Sequence, residues 1–132
     1  MGFSIQRIDH VVLRVHDLDG MIRFYERALG CTVERRLDRL QLVQLRAGDC
    51  LLDLVKNDAH RDGANMDHLC FRIEPFDLQT IAQALEPFGV SPGEVVQRYG
   101  AEGDGPSVYF NDPEGNQIEL KGPATSPPLR RR

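Results

Sequence analysis

The chain has 132 residues with 41% hydrophobic and 27% charged side chains and a net charge of -4 at pH 7, which suits one folded domain and excludes a disordered or fibrous chain. The acidic balance excludes the broad basic face that nucleic-acid phosphates require, and "LRRR" at the end reads as a solvated tail. Cys31, Cys50 and Cys70 lack C-x-x-C spacing, and no stretch has the pattern of a secretory signal or the length of a bilayer span, so free thiols in a cytoplasmic protein without a membrane partner are expected.

The first strand is "IDHVVLRV". Alternation puts His10, Val12 and Arg14 on one face and Val11, Leu13 and Val15 on the other. "DLDGMIRFYERALG" follows as an amphipathic helix with Asp17 as N-cap and Gly30 as its stop. Three strands come next, "CTVERR", "LQLVQLRAG" and "CLLDLVKN", and then a polar linker, "KNDAHRDGAN". "MDHLCFRI" restarts the pattern, with His68, Cys70 and Arg72 on one face. A second helix, "FDLQTIAQALEPFG", ends around Pro87 and Gly89, and "EVVQRY", "SVYFND" and "NQIELKG" give three more strands. "DPEGN" is a tight turn, and residues 125–132 read as a flexible tail. The chain is thus one domain, 1–124, of two βαβββ modules spanning about 5–57 and 66–122.

Each module has one helix for two sheet faces, and the uncovered face carries the chemistry. Asp53 sits between Leu52 and Leu54 in the last strand of one module, and Glu119 between Ile118 and Leu120 in the other. Each half therefore offers one early His and one late carboxylate. A face turned simply to water would hold such residues singly, but not at matching offsets in both copies. If the two sheets curl around a common cavity, His10, Asp53, His68 and Glu119 converge there. Two imidazoles with one or two carboxylates suit Zn, Ni, Mn or Fe in the divalent state.

On "DHVVLRVHDLDGMIRFYERALG", "MDHLCFRI" and "VYFNDPEGNQIEL", the chain from about Ile5 to Gly122 resembles the vicinal oxygen chelate superfamily. That superfamily includes glyoxalase I, bleomycin-resistance proteins, fosfomycin-resistance enzymes, methylmalonyl-CoA epimerase and extradiol dioxygenases. The resemblance implies an α+β fold of two tandem βαβββ modules whose curled mixed sheets enclose a metal-binding cavity. It also implies a homodimer, a small-molecule substrate, and one divalent ion per site held by His10, His68 and Glu119. Bacterial glyoxalase I has a fourth ligand, a Glu, where this chain has Asp53.

The reaction implied is that of a glyoxalase-type lyase or isomerase, which chelates neighbouring substrate oxygens and stabilises an enolate or enediolate. Asp53 or Glu119 would be the base. The alternatives are a fosfomycin-type enzyme that opens an epoxide and a metal-free bleomycin-type binding protein. In the fosfomycin reading a Gly-rich loop with Ser107 and Tyr109 holds the anionic substrate, but those enzymes carry Thr where this chain has Val12 and lack an acid at Asp53. Arg14 and Arg72 bind an anionic substrate, neutralise Asp53 and Glu119, or lie beyond the cavity rim. His16 and His60 are expected at the surface, and Cys70 as a small buried apolar residue.

Overall fold

The computed structural model describes residues 6–57 and 65–126. The chain divides into two compact units, Met1–Asp62 and Gly63–Arg132. The expected surface residue His60, most of the linker and residues 127–132 lie outside the described residues.

The first unit runs β1 (His10–Val15), α1 (Leu18–Arg27), β2 (Thr32–Leu37), β3 (Leu42–Ala47) and β4 (Cys50–Lys56). Asp17 caps α1, its Oδ1 accepting from the Gly20 amide at 3.0 Å. The helix buries Met21, Ile22, Phe24 and Tyr25, and packs against β4. Leu13, Val15, Val43, Leu45, Leu52 and Leu54 complete the apolar layer. Burial of each such side chain contributes about 1.5–3 kcal/mol. The strands lie in the order β1-β4-β3-β2, with β1 and β4 parallel and the other pairs antiparallel.

The second unit repeats this topology with β5 (Leu69–Arg72), α2 (Leu78–Leu85), β6 (Val96–Gly100), β7 (Gly103–Asn111) and β8 (Gln117–Lys121). Its order is β5-β8-β7-β6, again with only the first pair parallel. Asp77 caps α2 by accepting from the Thr80 amide at 3.1 Å, and a short 3-10 turn, Glu86–Phe88, carries it into Gly89. Ile81, Leu85, Val108, Phe110, Ile118 and Leu120 are buried. The expected α+β architecture of tandem βαβββ modules is what the chain forms, each sheet being mixed and open.

Two expectations along the chain change. The glycine-rich stretch before Ser107 is not a loop but the first half of β7. Glycine is required there by close approach, since a Cβ on Gly105 would lie 2.8 Å from the Pro123 carbonyl and 3.1 Å from Lys121 Nζ. The start of the expected tail is tied down, with the Thr125 amide donating to the Asp104 carbonyl at 2.6 Å. The "DPEGN" turn is as read, with Gly115 at φ 84° and the Asp112 carboxylate accepting from the Glu114 and Asn116 amides. Among the described residues no helix is long and apolar enough to cross a membrane.

Candidate metal centre

In the first unit, His10 opens β1 on the face opposite the buried Leu13 and Val15. Arg14, also on the His10 side of that strand, is exposed, as is His16 beyond it. His10 Nδ1 lies 2.9 Å from Asp9 Oδ2. An ionised carboxylate only accepts, so the hydrogen sits on Nδ1 and Nε2 keeps a lone pair. The Asp9 hydrogen bond raises the affinity of His10 for a second proton, against the effect of burial, and Asp53 adds to the rise. Asp53 is 4% exposed and Glu119 is 5% exposed, so both acids predicted from their leucine-flanked positions are withdrawn from water. Asp53 Oδ2 accepts from Gln44 Nε2 at 3.2 Å, whereas Oδ1 is buried with no hydrogen-bond partner.

The second unit repeats the arrangement. His68, just before β5, has Nδ1 2.6 Å from Asp67 Oδ1. Its Nε2 lies 3.4 Å from Glu119 Oε1. Glu119 Oε2 accepts from Ser107 Oγ at 2.6 Å, and Ser107 is fully buried. In the sheet register Glu119 stands between Cys70 of β5 and Tyr109 of β7. The Tyr109 ring meets His68 edge-on, with centroids 5.9 Å apart, and the Arg98 guanidinium lies 5.8 Å from its centroid. Desolvation pushes the Tyr109 hydroxyl up, an effect that Arg98 opposes.

Two predicted residues sit differently from expectation. Cys70 is exposed rather than buried, since it lies on the same exposed side of β5 as His68 and Arg72. Desolvation of the thiol and the neighbouring Glu119 carboxylate push it up to about 11, so it is no nucleophile at neutral pH. Arg72 spends its guanidinium on its own surroundings: Nε donates to Glu102 at 2.5 Å, Nη2 to Glu74 at 2.9 Å and Nη1 to the Ile73 carbonyl at 2.7 Å. The acids that it neutralises are therefore Glu74 and Glu102.

Four residues escaped the sequence reading. Asp9 and Asp67 were visible in the repeated Asp-His dipeptide, whose first residue orients the second. Gln44 and the buried Lys121, whose Nζ donates to the Arg98 carbonyl at 2.6 Å, carried no signal. Their parts depend on cross-strand register.

Among the described residues, no three His, Cys, Asp or Glu side chains gather in either unit, and each unit supplies an imidazole and a buried carboxylate. The donor set fits a divalent ion on two counts. The orphan oxygen of Asp53 lacks any protein donor. In the other unit, His68 Nε2 and Glu119 Oε1 stand 3.4 Å apart. Two ligands about 2.0–2.1 Å from a tetrahedral metal stand about 3.4 Å apart. The Asp9 and Asp67 contacts are the carboxylate–imidazole pairings that commonly steady metal-binding histidines.

Residues 7–120 match the family model of the Glyoxalase/Bleomycin resistance protein/Dioxygenase superfamily. The chain is 35% identical over 124 residues to Virulence protein STM3117 of Salmonella typhimurium, covering 88% of this chain and 83% of that protein. The crystal structure of that protein superposes with a TM-score of 0.73 at 28% identity, over 92% of this chain and 100% of that one. Glutathione transferase FosA of Serratia marcescens is 28% identical over 88% of this chain and 80% of its own length. A probable chloroplastic lactoylglutathione lyase of Arabidopsis thaliana is 27% identical over 92% of this chain and 38% of its own length.

Proposed function

The chain belongs to the Glyoxalase/Bleomycin resistance protein/Dioxygenase superfamily, and from that premise we propose that it is a divalent-metal-dependent lyase or isomerase of glyoxalase type. Members of the superfamily are often enzymes, commonly use a divalent metal and act on small molecules. The observation that carries the reading is the same Asp-to-His hydrogen bond in both units, which leaves each Nε2 free to ligate.

His10, His68 and Glu119 are the proposed ligands, with Asp53 completing the shell through Oδ1. The ion, one per site and one of Zn, Ni, Mn or Fe, would supply Lewis acidity toward two neighbouring oxygens of the substrate. Glu119 or Asp53 takes the proton next to a substrate carbonyl, a role worth roughly 10²–10⁴ in rate. The Ser107 hydroxyl fixes Glu119 for this work. Tyr109, edge-on to His68, and Arg98, over the Tyr109 ring, supply polar contacts to the substrate, and Arg14 remains a candidate anion partner. Arg72 is held by Glu74 and Glu102. The protein works as a homodimer, the common state among its relatives.

A second reading, a fosfomycin-type enzyme, has support in the fosfomycin-resistance homologues of this chain and in the Ser107–Glu119 pair. Val12 and Asp53 stand against it, since fosfomycin-resistance enzymes carry Thr at the first of these positions and no acid at the second. Calorimetry with Zn, Ni and Mn on the wild type, His68→Ala and Glu119→Gln tests the proposal. Tight binding by the wild type alone is expected. If the wild type binds none of them more tightly than His68→Ala, the enzyme reading fails. Assays on hemithioacetals, acyl-CoA epimers and fosfomycin then separate the reactions.

A further inference from the structure

We infer that Gln44 is a positioning residue for the metal site, holding Asp53 Oδ2 so that Oδ1 is reserved for the divalent ion. The inference rests on the metal-enzyme reading above.

Four residues form one row across the first sheet. Val12 of β1 is the register partner of Asp53 in β4, Asp53 of Gln44 in β3, and Gln44 of Arg35 in β2. Hydrogen bonds run along this row, from Arg35 Nε to Gln44 Oε1 at 2.5 Å and from Gln44 Nε2 to Asp53 Oδ2 at 3.2 Å. The chemistry of the two ends dictates the orientation of the amide. A guanidinium only donates and an ionised carboxylate only accepts, so Gln44 must turn its oxygen to Arg35 and its nitrogen to Asp53. One oxygen of the buried acid is thereby occupied, and the other is the orphan.

A β-bulge makes the row possible. The register of β2 shifts between Val33 and Arg35. Without the shift, Val33 opposite Leu45 would bring Glu34 opposite Gln44. Glu34 offers only acceptors, so it would compete with Asp53 for the Gln44 amide nitrogen. With the bulge, Arg35 takes the place, and Glu34 turns to Arg46, whose Nη2 lies 3.1 Å from its Oε2. Bulges commonly re-aim side chains next to functional sites. Gln44 would touch neither metal nor substrate, and it acts only through Asp53.

The test measures Mn(II) affinity by calorimetry and the Co(II) absorption spectrum for the wild type, Gln44→Met and Gln83→Met. Gln44→Met keeps length and volume but cannot donate. It should bind Mn(II) about 10- to 100-fold more weakly, as loss of a partner behind a ligand typically does, and alter the Co(II) spectrum. Gln83→Met, the same substitution at an exposed position of α2, should stay within about twofold of the wild type in both measures, since it lies behind no ligand. The inference is overturned if Gln44→Met binds as the wild type does, if its spectrum is unchanged, or if Gln83→Met falls equally. If the wild type itself binds no metal, the proposed function fails first and this inference with it.

Discussion

Ser107→Ala isolates the contact that places Glu119. The hydroxyl and the carboxylate are both buried and 2.6 Å apart, so the substitution leaves a charged oxygen without its hydroxyl donor and without water to replace it. A hydrogen bond to a charged group contributes about 1.5–3 kcal/mol. For a chain of this length about 1 kcal/mol moves the midpoint by roughly 3–5 °C, so the chelator-treated variant should melt about 5–15 °C below the wild type. Glu119→Gln provides the internal control. A neutral bond contributes only about 0.5–1.5 kcal/mol, so Ser107→Ala should lose roughly 1 kcal/mol less in that background. Urea unfolding of the wild type, the two single variants and the double variant measures both quantities. A loss below about 0.5 kcal/mol in Ser107→Ala, smaller than a typical neutral hydrogen bond contributes, or an equal loss in both backgrounds, would refute the claim that Ser107 bears on the charge of Glu119.

Three further outcomes are expected. Asp67→Ala should weaken metal binding about 10- to 100-fold by removing the acceptor that orients His68; calorimetry showing unchanged affinity would remove Asp67 from the site. Burial, then Glu26, pushes the Cys31 thiol up to about 11, so the folded state holds a proton that the unfolded chain releases near its ordinary value. Stability from this source is full below the unfolded value and is lost as pH rises, so between pH 8 and 10 the wild type should lose about 1.5 kcal/mol more than Cys31→Ala in urea unfolding. Expression in a fosfomycin-sensitive bacterium should leave its tolerance unchanged, and a clear rise would overturn the preference for a glyoxalase-type reaction.

The duplicated modules were legible because their signals are local. Asp17 and Asp77 cap the helices from the positions that their sequence neighbours announce, and the alternation along "HVVLRV" matches the burial of Leu13 and Val15. The same alternation put Asp53 and Glu119 on the face with the histidines before any fold was known. Sequence also held the cue to Asp9 and Asp67, since both histidines follow an aspartate, although only their hydrogen bonds show what the aspartates do. What tertiary structure alone decided are relations between residues distant in sequence. Arg72 faces Glu102, thirty positions away. Gln44 reaches Asp53 only because β3 pairs with β4 in this register, and Arg35 reaches Gln44 only because β2 bulges. A helix cap or a strand face follows from residues a few positions apart, whereas a cross-strand partner follows from how whole strands align. One extra residue in β2 exchanges an acid for a base opposite Gln44, and no periodicity in the sequence marks where that residue falls.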